Sequence, residues 1–144
     1  MILSQTAQYA VRAICFLATS EDGKWHLTKD VAEITKIPAP YLARIMSTLA
    51  KRGILKSRTG MGGGFCVADT NLKYSLYDVV SQFDNLENIK DCIFGFARCC
   101  EDDICLLHER WIAIKDQLIT LLKSTTLKDL RDDDKIFDWP NIEV

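Results

Sequence analysis

Cysteine and histidine crowd into one short stretch of the 144-residue chain, CIFGFARCCEDDICLLH at positions 92–108, which holds four of the six cysteines. Taken as metal donors, Cys92, Cys99, Cys105 and His108 are separated by six, five and two residues. Thiolates are soft ligands that suit zinc and iron-sulfur centres, and an imidazole can replace a thiolate on iron while raising the potential. Cys105 and His108 are three apart, so on a helix they lie on one face and address one centre. This donor set lacks the tight C-x2-4-C knuckles usual for structural zinc, which favours a 2Fe-2S or 4Fe-4S cluster over zinc. Zinc on the same Cys3His set stays open as an alternative, in a zinc-stabilised regulator or a protein-interaction module of the same fold. So does a metal-free thiol switch, in which Cys99 or Cys100 pairs with Cys92 or Cys105. Cys100, directly after Cys99, competes for the middle position. There is no C-x-x-C motif, which argues against a thiol oxidoreductase, and the expectation is a non-enzyme.

The other candidates for chemistry are weaker. Cys15 falls within a helical pattern and Cys66 within a strand pattern, where a small apolar thiol packs. His26 stands alone beside Trp25 and reads as structural or solvent-exposed. The opening MILSQTAQYAVRA lacks a charged segment followed by a long apolar block, and no apolar run reaches a bilayer-spanning length. The expected compartment is therefore the cytoplasm, with no membrane partner, where clustered cysteines point to metal or redox chemistry instead of disulfides.

With 48% hydrophobic and 26% charged residues, the chain has the balance of one globular domain. The elements that position the cysteines begin with a helix N-capped by Ser4 and running to about Thr19. A turn over Ser20 to Trp25 leads into a short strand at Trp25 to Leu27, and Thr28 caps a short second helix. Pro40 suits the first turn of a third helix and Gly53 the position just past its end. Leu42, Ile45, Met46 and Leu49 form its inward stripe, leaving Tyr41, Arg44, Ser47, Thr48 and Lys51 outward. Two short helices joined by a tight turn, the second with a basic outer face, make a helix-turn-helix.

Ile54-Leu55-Lys56 and Phe65-Cys66-Val67 read as strands bracketing SRTGMGGG, a hairpin that serves as a wing. Gly60, Gly62 and Gly63 let main-chain amides approach a phosphate or groove floor, and Arg58 at the base is placed to enter a minor groove. The glycine run is not a nucleotide phosphate loop, since it lacks the Lys-Ser/Thr ending and joins two strands. Thr28 to Phe65 carries seven basic and two acidic residues, a block of +5 in a chain whose net charge is −2. That focuses attraction for phosphate on one face. The fold class expected is mainly α with a small β wing. The expected partner is double-stranded DNA, with Tyr41, Arg44, Ser47, Thr48, Lys51, Lys56, Arg58 and the three glycines at the interface.

Ser75 to Phe83 reads as a further short helix. From Ile104 to about Lys123 the residues Ile104, Leu107, Trp111, Ile114, Leu118 and Leu121 recur at spacings of three and four, a helix-helix seam. Ile112, Ile119 and Leu122 widen that surface beyond what one small domain covers, so Leu107, Trp111, Ile114, Leu118 and Leu121 are the expected homodimer interface. The resulting map is a winged helix-turn-helix over 1–84, a cysteine-containing sensor loop over 85–103, a dimerisation helix and a short C-terminal helix over 104–130, and a mobile acidic tail over 131–144.

In this order the features resemble the Rrf2 family of bacterial regulators over residues 1 to about 130. The likeness rests on LSQTAQYAVRA, on YLARIMSTLAKRGILKSRTGMGGGF, and on the Cys92, Cys99, Cys105, His108 series leading into ERW and STTLKDL. The resemblance implies a winged-helix homodimer with crossed C-terminal helices, a palindromic operator, and a cysteine loop near the partner's DNA-binding region. It implies, for cluster-binding members, three cysteines plus a fourth ligand that is histidine in one branch and an N-terminal acidic residue in another. Position 8 is Gln8, so His108 fits the fourth place. The chain departs from the family pattern in the Cys92–Cys99 spacing, longer by one residue, in the additional Cys100, and in a wing arginine shifted to Arg58 beside Thr59. Some members keep the fold without any cluster.

Overall fold

The computed structural model describes residues 2–20, 24–86, 92, 105–133 and 143. Its elements follow the order α1 (Gln5–Thr19), α2 (Thr28–Thr35), α3 (Ala39–Lys51), β1 (Lys56–Arg58), β2 (Gly64–Cys66), a 3-10 turn (Asp69–Asn71), α4 (Leu76–Val80), α5 (His108–Ser124) and α6 (Leu127–Asp132). Cys99 and Cys100, most of the expected sensor loop and most of the expected tail lie outside the described residues.

α1 starts where a hydroxyl satisfies an orphan amide: Ser4 Oγ accepts from the Ala7 N–H at 3.1 Å. Ser4 is in turn held from 80 residues away, its N–H donating to Asp84 Oδ2 at 2.8 Å and its hydroxyl to Asp84 Oδ1 at 2.5 Å. The helix buries Ala10, Ala13, Ile14, Leu17 and Ala18 against Leu42, Ile45, Met46 and Leu49 of α3, Val31 of α2, and Leu127 and Leu130 of α6. A smaller cluster joins Ala7, Val80, Leu86 and Leu122, with Leu118 and Ile119 of α5 packed against it.

α2 ends at Lys36, which adopts a left-handed φ of 59°. The buried Ile37 then donates to the Ala32 carbonyl, and Pro38 opens α3 with Pro40 in its first turn. Gly53, at φ 77°, closes α3 as its position past the helix predicts, and the Ile54 N–H reaches back to the Leu49 carbonyl at 3.0 Å. That last bond corrects the strand boundaries. Ile54 and Leu55 are both buried and complete the end of α3, so the ladder begins at Lys56, with Lys56 opposite Cys66, Ser57 opposite Phe65 and Arg58 opposite Gly64. The expected short strand at Trp25 to Leu27 is a single antiparallel bridge, His26 to Phe65, which ties the wing to the connection between α1 and α2.

The C-terminal half differs from the sequence reading at its boundaries. α4 ends at Val80, and the chain continues through turns in which Phe83 N–H reaches only to Val80. α5 begins at His108. α6 runs through Asp132, two residues past the expected end, because Arg131 is part of the core's frame and not of a tail. The first amides of α4 and α6, which have no partner within their own helices, satisfy each other's leading segments. Leu76 N–H donates to Thr125 O and Leu127 N–H to Tyr74 O, both at 2.9 Å. Each helix has its own capping box, Ser75 with Asp78 and Thr126 with Asp129.

Arg131 reaches across the domain. Its Nε donates to Ala18 O at 3.1 Å, Nη2 to Val67 O at 2.7 Å and Nη1 to Asp69 Oδ1 at 3.1 Å. The arginine side chain is 13% exposed and that of Asp69 84%, so the carbonyl bonds and not the ion pair hold it. Replacing Arg131 by Ala is expected to lower the unfolding free energy by about 2–3 kcal/mol, because charged donors leave two carbonyls behind. Asp69→Asn is expected to change it by no more than about 0.5 kcal/mol. Urea unfolding of the two variants measures both; equal losses would show that the ion pair, and not the carbonyl clamp, dominates.

Candidate nucleic-acid interface and candidate metal centre

The outward side of α3 is set by its inward one. With Leu42, Ile45, Met46 and Leu49 fixed in the core, Tyr41, Arg44 and Lys51 stand exposed, and Ser47 and Thr48 are half-buried beside them. Thr48 Oγ1 donates back to Arg44 O at 3.0 Å, so its hydroxyl presents an acceptor outward and not a proton. Lys56 and Arg58 extend the basic face along β1, both exposed. Lys24, Arg52 and Lys36 add exposed positive charge nearby in sequence.

The wing is braced. Gly60 and Gly62 sit at φ 85° and 71°, and the N–H of the buried Gly63 donates to Gly60 O at 3.1 Å. That amide is already used within the turn, which leaves Gly60 and Gly62 as the exposed members of the expected glycine set. Glycine is required at 63 and 64 for closeness: a Cβ on Gly63 would lie 2.3 Å from Arg58 O, and one on Gly64 2.1 Å from His26 O. Arg58, although exposed, is held against the wing. Its Nη2 donates to Gly62 O at 2.5 Å, and its guanidinium lies 4.4 Å from the centroid of the Trp25 ring. Trp25 carried no sequence signal for this role, and Gly64 was legible only as one more glycine of the run. His26, half-buried, meets Phe16 edge-on at 5.1 Å, and burial, reinforced by Lys24 and opposed by Asp30, lowers its pKa.

Toward the C-terminus, Cys105 and His108 share one turn: the His108 N–H donates to Cys105 O at 3.0 Å as α5 begins. Cys105 and His108 are half-buried, and Cys92 is buried. Among the described residues, Cys92, Cys105 and His108 included, no three His, Cys, Asp or Glu side chains gather as a metal site. Of the expected interface residues, Ile114 and Leu121 are 53% and 58% exposed. Leu107 and Trp111 are half-buried, and Leu118 packs inward on the Ala7 cluster. Leu106, just before the helix, is also exposed and was not singled out by periodicity. Among the described residues no helix is long and apolar enough to cross a membrane.

Comparison with known proteins gives a consistent picture. Residues 3–133 match the family model Rrf2, described as an iron-dependent transcriptional regulator. A putative HTH-type transcriptional regulator of Aquifex aeolicus is 35% identical over 132 residues, covering 90% of this chain and 91% of that protein. The HTH-type transcriptional regulator IscR of Escherichia coli is 28% identical over 138 residues, covering 96% and 85%. Among solved structures, CymR, the global cysteine regulator of B. subtilis, superposes with a TM-score of 0.71 at 25% identity, covering 90% of this chain and 95% of that one.

The buried thiols are expected to be inert. Burial pushes the Cys15 thiol up to about 12 and raises that of Cys66, against the opposing pull of Lys56, Arg58 and Arg131. Brief iodoacetamide treatment of the native chain near about pH 8, read by peptide mass spectrometry, should label Cys105 well before Cys15 or Cys66. The raised folded value of Cys15 also contributes stability that is whole below its ordinary value of 9.0 and declines as pH rises toward about 12. Labelling of Cys15 as fast as Cys105 would show that α1 opens readily.

Proposed function

The chain belongs to the Rrf2 family of transcriptional regulators, and from that premise we propose that it is a homodimeric, double-stranded-DNA-binding regulator whose cysteine segment senses iron-sulfur or redox status. The observation that carries the DNA reading is the framed α3, with Tyr41, Arg44 and Lys51 exposed on the face opposite its core stripe and continuous in sequence with the exposed Lys56 of a braced wing. α3 is the major-groove element. Arg44, Ser47 and Thr48 face base edges, while Tyr41, Lys51 and Lys56 meet phosphates. The exposed Ile114 and Leu121 of α5 are left uncovered by the described residues, and a second α5 supplies the cover. A two-fold pair of α3 helices reads a palindromic operator, its half-sites about one helical turn, roughly 34 Å, apart.

Cys92, Cys99, Cys105 and His108 are the proposed cluster ligands, with Cys100 as competitor for the middle place. The donor types fit: thiolates with one imidazole, two of the four already on one turn. Such a cluster supplies a reversible redox change and a site that can be gained or lost. Among the described residues Cys92, Cys105 and His108 do not group as a metal site, so a bound cluster would gather them, and its gain or loss would bias the segment between two states. The likeness to CymR, a cysteine regulator, supports a second reading: a cluster-free thiol switch on the same fold.

Selection of duplexes from a random pool, followed by shift assays on the enriched sequence, tests DNA binding. Arg44→Ala is expected to cost about 1–3 kcal/mol of specific affinity at fixed salt, and Lys51→Ala to reduce the salt slope by about 1. Anaerobic purification with iron and sulfide analysis separates the sensing readings. Iron with sulfide supports the cluster, whereas metal-free protein that forms a disulfide on mild oxidation supports the switch.

A further inference from the structure

The wing tip presents one large side chain. Between Arg58 and Phe65 the sequence is Thr59-Gly60-Met61-Gly62-Gly63-Gly64, and Met61 is fully exposed. No cation lies in that stretch. The nearest, Arg58, is engaged by Gly62 O and the Trp25 ring. The tip is also held in place, by the bond from Gly63 N–H to Gly60 O, by a backbone packing at Gly63 that leaves no room for a Cβ, and by the His26–Phe65 bridge at its base.

A single exposed apolar residue needs no explanation by itself. Met61 is set apart by its position at the leading point of the element that a winged helix brings to the duplex, where a basic side chain would be expected and none is free. A thioether there gains nothing from phosphate, but it can be buried. We propose that Met61 is the DNA-reading residue of the wing, an apolar wedge that enters the minor groove and leans between adjacent base pairs, with Arg58 as a positioning residue. The inference rests on the DNA-binding reading above and adds the chemistry of the wing contact to it.

The consequences are specific. Apolar wedges partly unstack a base step and kink the duplex, and pyrimidine–purine steps are the easiest to open. Each wing therefore favours a TA or CA/TG step at its position, in symmetric places on either side of the dyad. Because methionine displaces no counterion, its contribution to affinity is independent of salt.

The test uses the full chain and the duplex enriched from the random pool, with 2-aminopurine replacing the adenine of the wing-proximal step located by hydroxyl-radical footprinting. Wild-type binding should raise its fluorescence, as unstacking does. Met61→Ala should abolish the rise and weaken binding roughly tenfold with an unchanged salt slope, while Met61→Leu retains both. Matching thermal melts establish that the variants are folded, as expected for a fully exposed position. Unchanged affinity and fluorescence in Met61→Ala, or a flatter salt slope, would overturn the proposal while leaving DNA binding intact. Failure of the wild-type chain to enrich any duplex would instead remove the DNA-binding reading on which it stands.

Discussion

A helix covered on almost every side can be approached closely only where its side chains are short. α1 meets that condition with Ala7, Ala10, Ala13 and Ala18, all fully buried, and the other helices take their places from it. Its middle and C-terminal turns lie in the core that holds α2, α3 and α6, while Ala7 lies in the second cluster with Val80 and with Leu122 of α5. Val11, Leu76 and Phe83 touch both clusters. A methylene added at Ala10 or Ala13 would displace α3 or α6 as a body, since close-packed interiors accommodate extra volume by moving backbone. The orientation of α3, and hence of every residue proposed to meet DNA, is thus set by the smallness of residues that never approach it.

The wing depends on a second close approach. Gly64 lets the hairpin lie against the His26 carbonyl, and the His26–Phe65 bridge turns a two-stranded ribbon into part of the domain. An isolated hairpin of this length is marginal in water. Arg58 adds to that support when it closes on Gly62 O and Trp25, and Arg131 fixes the exit of β2 through Val67 O. A wing supported at its base, tip and exit loses little further freedom on binding, so more of its contact energy appears as affinity.

What the sequence made legible were features written in local chemistry: the Ser4 cap, the Pro40 and Gly53 frame of α3, the inward stripe of that helix, and the glycine turn. These depend on neighbours three or four residues apart. The strand start was misplaced because Ile54 and Leu55, both apolar, look like a strand yet are consumed in closing α3, a matter of hydrogen-bond partners that periodicity does not report. Arg131 was assigned to a tail for a similar reason, since its carbonyl partners lie 113 and 64 residues away. Trp25 and Asn71 were invisible as supports. Asn71 is buried, and it satisfies Gly53 O and the Ala68 N–H only once the chain has folded back. The cysteine spacing named donors, but convergence is a property of three dimensions, and among the described residues one turn carries Cys105 and His108.

The placement of that pair bears on how a signal could reach DNA. His108 opens α5, a 17-residue helix and thus roughly 25 Å long, and Cys105 lies in the turn just before it. The opposite end is pinned: Leu122 is buried with Ala7 and Val80, and the Thr125 carbonyl holds the first amide of α4. The pinned end adjoins α1, which carries α3. A helix fixed at one end and altered at the other changes its direction more readily than its position. In the proposed dimer the exposed Ile114 and Leu121 lie between those ends, so the angle at which two α5 helices cross would fix the separation of the two α3 helices. A small change at the cysteine turn then appears as a change in half-site spacing, to which a palindromic operator is sensitive because both recognition helices must enter successive grooves together.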